Sequence, residues 1–316
     1  MASTKSFANM DFPVETIQDK NIRLKLTSRC QWSCHFCHME GLAGSPELKW
    51  SESAGKQILD LMYSMGRTKV HLTGGEPTTY GQISEVASFF KQNSKNVAIT
   101  TNGQFDNNLR SDLIRRGCSS FSFSLPTLDT SEFIRFHERN FSVTRADDNI
   151  NRSLSNILAV SASGTKTDIN LVFSDKIGKM SRVLDLAFDQ RIDISLLGVV
   201  GNLENSEARI MEMVHLYDLE PMTYRTYRGT SRARYVFRNR SSKTLVSLKV
   251  LEPIFLSSMC DSCPLQSSCE EKFYGIRIEQ GKNGLLVRTC LHKNVLTPIS
   301  DFSKSDIGRE ILETCK

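Results

Sequence analysis

Three cysteines near the N-terminus constrain this chain more than any other feature. Cys30, Cys34 and Cys37 have the spacing C-x3-C-x2-C and follow a strand-like segment, Ile22–Leu26. One loop with this spacing can wrap three thiolates around one corner of an iron–sulfur cube, whose irons usually take four Cys ligands. Three ligands leave one iron open to chelate another molecule. A zinc site completed by a neighbouring histidine, or a redox-active C-x-x-C pair, is the alternative.

A glycine pair at the end of the next apolar segment is the second motif. The run Gly74-Gly75-Glu76-Pro77 follows the strand candidate that begins at Lys69. Glycine lacks a side chain, so the backbone can approach a ligand closely there. Neither a zinc site nor a redox pair explains this second motif. The two motifs together favour a ligand site where two strands end.

Short apolar segments alternate with helical patterns through the middle of the chain. Six strand–helix units predict a parallel sheet. Such units close into a barrel or partial barrel with its chemistry at the C-terminal ends of the strands, where both motifs lie. We therefore expect an α/β fold, a partial (β/α)6 TIM-like barrel. The predicted strands are 22–26, 69–72, 97–100, 120–125, 167–173 and 192–200, and the predicted helices are 51–63, 81–92, 107–116, 149–162 and 179–189.

Four further cysteines are grouped in the C-terminal part. Cys260, Cys263 and Cys269 have the spacing C-x2-C-x5-C, and Cys290 follows a predicted hairpin over 274–288. A hairpin returns the chain on itself, so it would bring Cys290 beside the other three. A closed zinc site is one interpretation. A second, auxiliary 4Fe-4S cluster is the interpretation that we favour.

Length and composition fit one barrel and a smaller unit. The chain has 316 residues, of which 39% are hydrophobic, and we predict an N-terminal extension over 1–20, a barrel over 21–215 and a small Cys-rich domain with its tail over 216–316. No segment has the roughly twenty apolar residues that span a bilayer, and the N-terminus lacks an apolar signal region. Nine cysteines then favour metal ligation in the reducing cytoplasm over disulfides.

The combined motifs resemble the radical SAM superfamily. Within it, the chain resembles the GTP 3',8-cyclase (MoaA)-like branch, whose C-terminal auxiliary iron–sulfur domain is of the Twitch or SPASM type. The resemblance covers most of 20–295 and includes the strand end Thr100–Gly103 and the segment Ser124–Asp129. It implies S-adenosylmethionine (SAM) and two 4Fe-4S clusters, one on Cys30, Cys34 and Cys37 and one on Cys260, Cys263, Cys269 and Cys290. It places Phe36, Gly74, Gly75, Glu76, Thr101 and Ser124 around SAM.

The chain departs from that branch where the branch binds GTP. Arg23 matches a family arginine, but His71 stands where an arginine is expected, Asp168 where a lysine is expected and Pro126 where an aspartate is expected. The family's Gly-Gly tail is also replaced, by a sequence that ends in Lys316. An aspartate repels a phosphate that a lysine attracts. The sequence therefore predicts that GTP is not the substrate.

A cationic stretch points to an anionic partner. Residues 223–250 contain Arg and Lys side chains but no acidic residue, while the whole chain has a net charge of +5. Guanidinium groups suit phosphate or carboxylate. A solvated strand pair without a specific role is the alternative, and nucleic acid is disfavoured because the stretch is short. The candidates for substrate binding are Arg23, Arg225, Arg228 and Arg277.

The resemblance implies reductive cleavage of SAM and hydrogen abstraction by a 5'-deoxyadenosyl radical. We predict an enzyme that acts on a small, anionic nucleoside or sugar nucleotide, similar to cytosylglucuronate decarboxylases, with flavodoxin or ferredoxin as reductant. The alternatives are GTP 3',8-cyclase, a ribosomal-peptide maturase and a non-catalytic iron–sulfur scaffold. The maturase is disfavoured because no peptide-recognition domain precedes Ile22. The acid or base and the oligomeric state are left open.

Overall fold

One mixed sheet of thirteen strands runs through the part of the chain that the structure describes. The structure is a computed structural model, and it describes residues 10–37, 44–172, 177–198, 206–252, 254–269 and 271–315. In chain order the strands are β1 (Val14–Gln18), β2 (Asn21–Thr27), β3 (Lys69–Gly74), β4 (Asn96–Thr101), β5 (Ser120–Ser124), β6 (Lys166–Val172), β7 (Asp193–Leu197), β8 (Leu219–Arg228), β9 (Arg232–Asn239), β10 (Leu245–Leu251), β11 (Arg277–Gly281), β12 (Gly284–Arg288) and β13 (Leu296–Pro298).

Six parallel strands, β2 to β7, form the centre of this sheet in sequential order. The strand order is β1-β8-β9-β10-β7-β6-β5-β4-β3-β2-β11-β12-β13, so the sheet is open. The predicted α/β fold and partial barrel are therefore confirmed. Two predicted strands end at positions 173 and 200, which lie outside the described residues.

The helices connect the parallel strands. They are α1 (Glu52–Ser64), α2 (Ile83–Gln92), α3 (Asn107–Arg115), α4 (Thr130–Arg135), α5 (Val143–Ala162), α6 (Ile177–Gln190), α7 (Ser206–Leu216), α8 (Ser257–Cys260) and α9 (Asp306–Thr314). Apolar faces of these helices and strands meet in one large core that includes Phe90, Phe121 and Val183. None of the described helices has the length and apolarity needed to cross a bilayer.

One helix start was predicted wrongly. We expected a helix from Asn149, but α5 begins at Val143, where the Ser142 side chain accepts a hydrogen bond from the Arg145 backbone N–H. Such an N-cap satisfies a donor that the first helical turn leaves without an intrahelical partner. The polar residues of this first turn hid the helical pattern in the sequence. The short helix α4 was not predicted.

The C-terminal strands extend both sides of the parallel centre. β8, β9 and β10 are joined to β7, and β1 pairs with β8. On the other side β11 pairs in parallel with β2, which places Arg277 opposite Arg23. β11 and β12 form the predicted antiparallel hairpin, with Gly281 opposite Gly284. Both extensions bring residues from far along the sequence to the same barrel.

Candidate functional site

A cavity of about 510 Å³ lies at the C-terminal ends of the parallel strands. The loop that follows β2 forms one side of it, and β10 with the segment before β11 contributes another part of the wall. All the parallel strands end at this edge of the sheet, so residues that follow many of them converge at the cavity. The described residues that line it are Cys30, Trp32, Cys34, His35, Phe36, Cys37, Thr73, Gly74, Gly75, Glu76, Thr100, Thr101, Asn102, Ser124, Pro126, Asn170, Val172, Leu197, Gly198, Lys249, Val250, Leu251 and Glu271.

The structure thus brings together every residue that the sequence placed at the first cluster and around SAM. The three thiols of the first motif, the glycine pair, Glu76, Phe36, Thr101 and Ser124 all border this one cavity. The ligand roles of these side chains stay predictions. The neighbouring histidines that could complete a zinc site are His35, which lines the cavity, and His38, which lies outside the described residues.

The cysteine loop is held by a small apolar cluster of its own. Trp32 packs edge-on against Phe133 of α4, with ring centroids 5.2 Å apart, and Cys30 and Cys34 pack against the same cluster. The Trp32 indole N–H donates a hydrogen bond to Asn149 Oδ1 at 2.9 Å. A buried aromatic side chain with its polar atom satisfied is a rigid anchor. The unpredicted helix α4 and the first two turns of α5 therefore position the loop.

The thiols of this loop fit an iron–sulfur cluster. Burial raises the pKa of Cys30 to about 11 and that of Cys34 to about 12, so both hold their protons without a bound cation. Thiolates are the ligands of iron–sulfur clusters, and metal binding releases the thiol protons. Cys34 Sγ lies 3.5 Å from His137 Nε2, and Asn102 Nδ2 lies 3.9 Å from Cys30 Sγ. Three thiols on one loop beside a cavity are the arrangement that an iron–sulfur cluster with three cysteine ligands needs.

The glycine pair brings two backbone segments into close contact. Gly74 has φ +145°, and a Cβ on it would lie 2.3 Å from the Thr27 carbonyl oxygen; a Cβ on Gly75 would lie 2.3 Å from the Arg29 carbonyl oxygen. The N–H groups of Gly75 and Glu76 donate to these same two oxygens at 2.8 and 2.7 Å. The sequence suggested close approach to a ligand. In the structure the pair also lets the end of β3 hold the start of the cysteine loop.

Glu76 is buried, and its carboxylate accepts four hydrogen bonds. Oε1 accepts from the Thr78 backbone and hydroxyl at 3.1 and 2.7 Å and from the Thr101 hydroxyl at 2.7 Å. Oε2 accepts from the Asn102 N–H at 2.6 Å. Burial raises the pKa of Glu76, and these four hydrogen bonds oppose that effect. The carboxylate therefore joins the ends of β3 and β4 at the cavity wall.

The four C-terminal cysteines line a second, smaller pocket. The hairpin returns Cys290 to Cys260, Cys263 and Cys269, as the sequence suggested. The Lys272 and Lys293 N–H groups point at the sulfurs of Cys269 and Cys290, each at 3.3 Å, and such donors stabilise a thiolate. In the described part of the chain, no three Cys, His, Asp or Glu side chains are spaced for a single metal ion. Four thiols around one pocket are the donors that an iron–sulfur cluster requires.

The four predicted substrate arginines lie in two different places. Arg23 and Arg277 lie inside the barrel, with guanidinium carbons 5.5 and 5.2 Å from the ring centroid of buried Tyr274. Arg225 donates to Glu15 Oε2 of β1 at 2.8 Å, and Arg228 is exposed at the end of β8. Neither Arg225 nor Arg228 is among the described residues that line the cavity. Acidic groups from outside the cationic stretch therefore offset part of its charge.

Two of the positions at which this chain departs from the GTP 3',8-cyclase pattern, His71 on β3 and Asp168 on β6, are separated in the sheet by β4 and β5. His71 Nε2 is 2.6 Å from Thr100 Oγ1. Asp168 Oδ1 accepts from Ser122 Oγ at 2.8 Å. Burial raises the pKa of Asp168, while Ser122, Arg234 and two nearby lysines lower it. Neither side chain lines the cavity in the described structure.

Three residues at the cavity wall or directly behind it were missed by sequence reasoning. Lys249 and Glu271 line the cavity, and Tyr274 lies behind Lys249, whose ammonium nitrogen is 4.4 Å from the phenol ring centroid. Lys249 was visible as part of the cationic stretch, but nothing set it apart from its neighbours. Glu271 and Tyr274 carry no local signal, because only the pairing of β11 with β2 brings their segment to the barrel.

Comparison with protein families finds one match. The model of the radical SAM superfamily matches residues 24–173. A probable GTP 3',8-cyclase of Methanopyrus kandleri is 25% identical over 77% of this chain and 76% of the relative. One of Thermoplasma volcanium is 22% identical over 86% and 88%. One of Pyrococcus abyssi is 34% identical, but over only 36% of this chain and 37% of the relative, less than two thirds of its length.

Solved structures agree on the fold. Streptococcus suis SuiB bound to S-adenosylmethionine has a TM-score of 0.56 and 15% identity, over 89% of this chain and 61% of that chain. Another structure of SuiB has a TM-score of 0.56 and 14% identity, over 90% and 65%. This chain therefore spans less than two thirds of the SuiB chain. At such low identity the likeness supports the fold alone.

Proposed function

We propose that this chain, which carries a radical SAM domain in residues 24–173 and is an enzyme of that superfamily, acts on a small anionic nucleoside or sugar nucleotide. The chemistry available when a 4Fe-4S cluster and SAM are bound is reductive cleavage of SAM to methionine and a 5'-deoxyadenosyl radical, which removes hydrogen from unactivated carbon. The protein supplies placement and exclusion of water, since the cofactor carries the difficult chemistry.

The observation that carries the proposal is the convergence of the two sequence motifs on one cavity. In this proposal Cys30, Cys34 and Cys37 hold three irons of the cluster. The backbone at Gly74 and Gly75 and the side chains of Phe36, Glu76, Thr101 and Ser124 bind SAM. The remaining wall, formed by β6, β7, β10 and Glu271, is then left for the substrate.

The charge of that wall supports a substrate with few negative charges. Among the described residues that line the cavity, Lys249 is the only Lys or Arg. A triphosphate carries several charges, and its burial requires several cations or a metal ion. Arg23 and Arg277 add positive potential from behind Tyr274. Lys249 at the cavity wall, with Arg23 and Arg277 behind it, suits a substrate with a single phosphate or carboxylate.

GTP 3',8-cyclase is the second candidate. It is favoured by the names of the relatives from Methanopyrus kandleri and Thermoplasma volcanium, whose similarity extends over most of this chain. The charges at the substrate wall argue against it. A ribosomal-peptide maturase stays a prediction.

The C-terminal pocket supports an auxiliary 4Fe-4S cluster on Cys260, Cys263, Cys269 and Cys290. Ligation by four cysteines favours electron transfer or a structural role over binding of substrate. We also propose the division into an extension (1–20), a barrel (21–215) and an auxiliary domain (216–316). A flavodoxin or ferredoxin in the cytoplasm is the proposed reductant.

Substrate stimulation of SAM cleavage tests the proposal. Anaerobically reconstituted protein is given dithionite, SAM and either GTP or cytosylglucuronate, and 5'-deoxyadenosine is measured by chromatography. We expect stimulation by the nucleoside carboxylate and none by GTP. Protein with Cys30, Cys34 and Cys37 changed to Ala is the control and should form no 5'-deoxyadenosine. A 3',8-cyclised product from GTP would establish the second candidate instead.

A further inference from the structure

A buried carboxylate oxygen on the cavity wall lacks a hydrogen-bond partner. Glu271 is 7% exposed and lines the cavity, and its Oε2 accepts no hydrogen bond from any described residue. The backbone close to it is well held: Phe273 N–H donates to the Ile254 carbonyl at 3.1 Å, and Ser231 N–H donates to the Phe273 carbonyl at 2.7 Å. A buried acceptor without a donor costs stability. A carboxylate oxygen held in this way is suited to a ligand that donates an N–H or O–H.

A lysine on the same wall shares one buried tyrosine ring with two arginines. Lys249 lines the cavity, and its ammonium lies over the ring of Tyr274, 4.4 Å from the centroid. Arg23 and Arg277 approach the same ring at 5.5 and 5.2 Å. Arg232, a fourth cation near this phenol, is ion-paired with Asp19. Lys249 is therefore the point at which a ligand in the cavity meets this positive potential.

Lys249 and Glu271 come from different elements but face one cavity. Lys249 is on β10, and Glu271 is in the segment that leads into β11. The cysteine loop and the glycine pair border the same cavity on the side proposed for SAM. A ligand between the two sides would meet one cation and one carboxylate. Two opposite charges on one wall also specify the orientation of a ligand, because reversing it would bring like charges together.

We propose that Lys249 and Glu271 form a substrate-recognition pair. Lys249 binds one oxyanion of the substrate, and Glu271 accepts a hydrogen bond from an amino, amide or hydroxyl group of the same molecule. The inference rests on the proposed function and narrows its substrate to a nucleoside that carries one phosphate or carboxylate. Tyr274 is a positioning residue, because its phenol accepts a hydrogen bond from Lys249 and holds the ammonium at the wall.

Binding of cytidine 5'-monophosphate tests the pair, since this probe carries one phosphate, an amino group and hydroxyls. Equilibrium dialysis with reconstituted enzyme and SAM compares wild type with Lys249→Gln and Glu271→Gln. Cytidine and GTP are the comparison ligands. The exposed residues Lys56 and Glu85, changed to Gln, provide matched controls outside the cavity.

We expect Lys249→Gln to weaken binding of the monophosphate at least tenfold and binding of cytidine much less. Glu271→Gln should weaken both ligands about equally, because it replaces the charged acceptor for a donor that they share with a neutral amide, which makes a weaker hydrogen bond. The controls should bind as wild type does. Wild type should bind the monophosphate more tightly than GTP.

Stability separates recognition from misfolding. Glu271→Gln removes a buried charge with an unpaired oxygen, so the ligand-free variant should melt at the wild-type temperature or above it while its binding is weaker. A lower melting temperature in proportion to the lost binding would show a structural role and overturn the inference.

Two further outcomes would overturn the proposal that Lys249 and Glu271 recognise the substrate. In the first, both variants bind the monophosphate as tightly as wild type does. In the second, wild type does not bind the monophosphate. Uncoupled formation of 5'-deoxyadenosine by wild type is measured in the same preparations. If wild type forms 5'-deoxyadenosine but the binding results contradict the recognition pair, only this inference fails. If wild type cleaves no SAM, the proposed function fails with it.

Discussion

Single side chains at the cavity have environments that change their acid–base behaviour. Burial by itself would raise the pKa of Tyr274, but Lys249, Arg23 and Arg232, together with a hydrogen bond from Lys249, lower it to about 7. An ordinary tyrosine titrates near 10. The phenol is therefore neutral below about pH 7 and negative above it. Its charge is coupled to that of Lys249, the proposed contact for the substrate oxyanion.

The ionisation of Tyr274 can be observed directly. Phenolate absorbs near 295 nm, so the difference between wild type and Tyr274→Phe should show one group that titrates near pH 7. Between about pH 7 and pH 10 the unfolded chain holds a proton that the folded phenol has released, so this residue should make stability rise with pH over that window. Lys249→Gln should move the titration upward, because it removes one of the cations that lower the pKa. A difference spectrum without phenolate below pH 9 would contradict the described environment.

At the scale of elements, the end of β3 and the loop after β2 depend on each other. Two backbone hydrogen bonds from Gly75 and Glu76 join them, and the absence of a side chain at Gly75 permits the approach. α4 and α5 hold the other side of the loop through Trp32. The thiols are thus positioned by four elements, of which the sequence pattern missed α4 and the first turns of α5.

Substitution of one glycine tests this dependence. Gly75→Ala places a methyl group 2.3 Å from the Arg29 carbonyl oxygen, so the backbone must move, at a cost of about 1–3 kcal/mol. We expect a lower free energy of unfolding in denaturant titrations and less iron bound after reconstitution. Gly81→Ala is the matched control, because a Cβ there meets no atom within 4 Å. Equal iron content in the two variants would argue against the role of Gly75.

At the scale of the whole molecule, one sheet carries both groups of cysteines. The strands at the two sides of the parallel centre belong to the C-terminal part of the chain, apart from β1. The hairpin β11–β12 pairs with β2, the strand that leads into the first cysteine loop. The C-terminal hairpin that returns Cys290 to the other three cysteines is therefore joined to the strand that precedes the first three.

Iron analysis tests whether the two groups hold separate clusters. Reconstituted wild type should contain about eight irons, and the variant with Cys30, Cys34 and Cys37 changed to Ala about four. Changing Cys260, Cys263, Cys269 and Cys290 to Ala should likewise leave about four. Iron and zinc are measured by mass spectrometry of protein prepared without oxygen. One zinc and about four irons in wild type would show that the C-terminal site is a zinc site.

The sequence by itself determined the class of fold and the common location of the residues proposed to bind SAM. Alternating apolar and helical patterns are local, and they predicted all six parallel strands of the centre. The cysteine spacing and the glycine pair are local signals as well, because each motif is formed by a few residues close together in the sequence. Since parallel strands end at one edge, the motifs at their ends had to converge, and the structure brings those residues to one cavity.

Only the tertiary structure decided which residues form the wall that we propose for the substrate. Lys249, Glu271 and Tyr274 meet there because β10 joins β7 and β11 joins β2, pairings between segments far apart in sequence. Side-chain charge alone pointed to Arg225 and Arg228, which lie away from the cavity lining, with Arg225 paired to Glu15. The sequence does not show which way a charged side chain points. Which charges face a ligand and which face acidic partners depends on strand register and on the packing of distant elements.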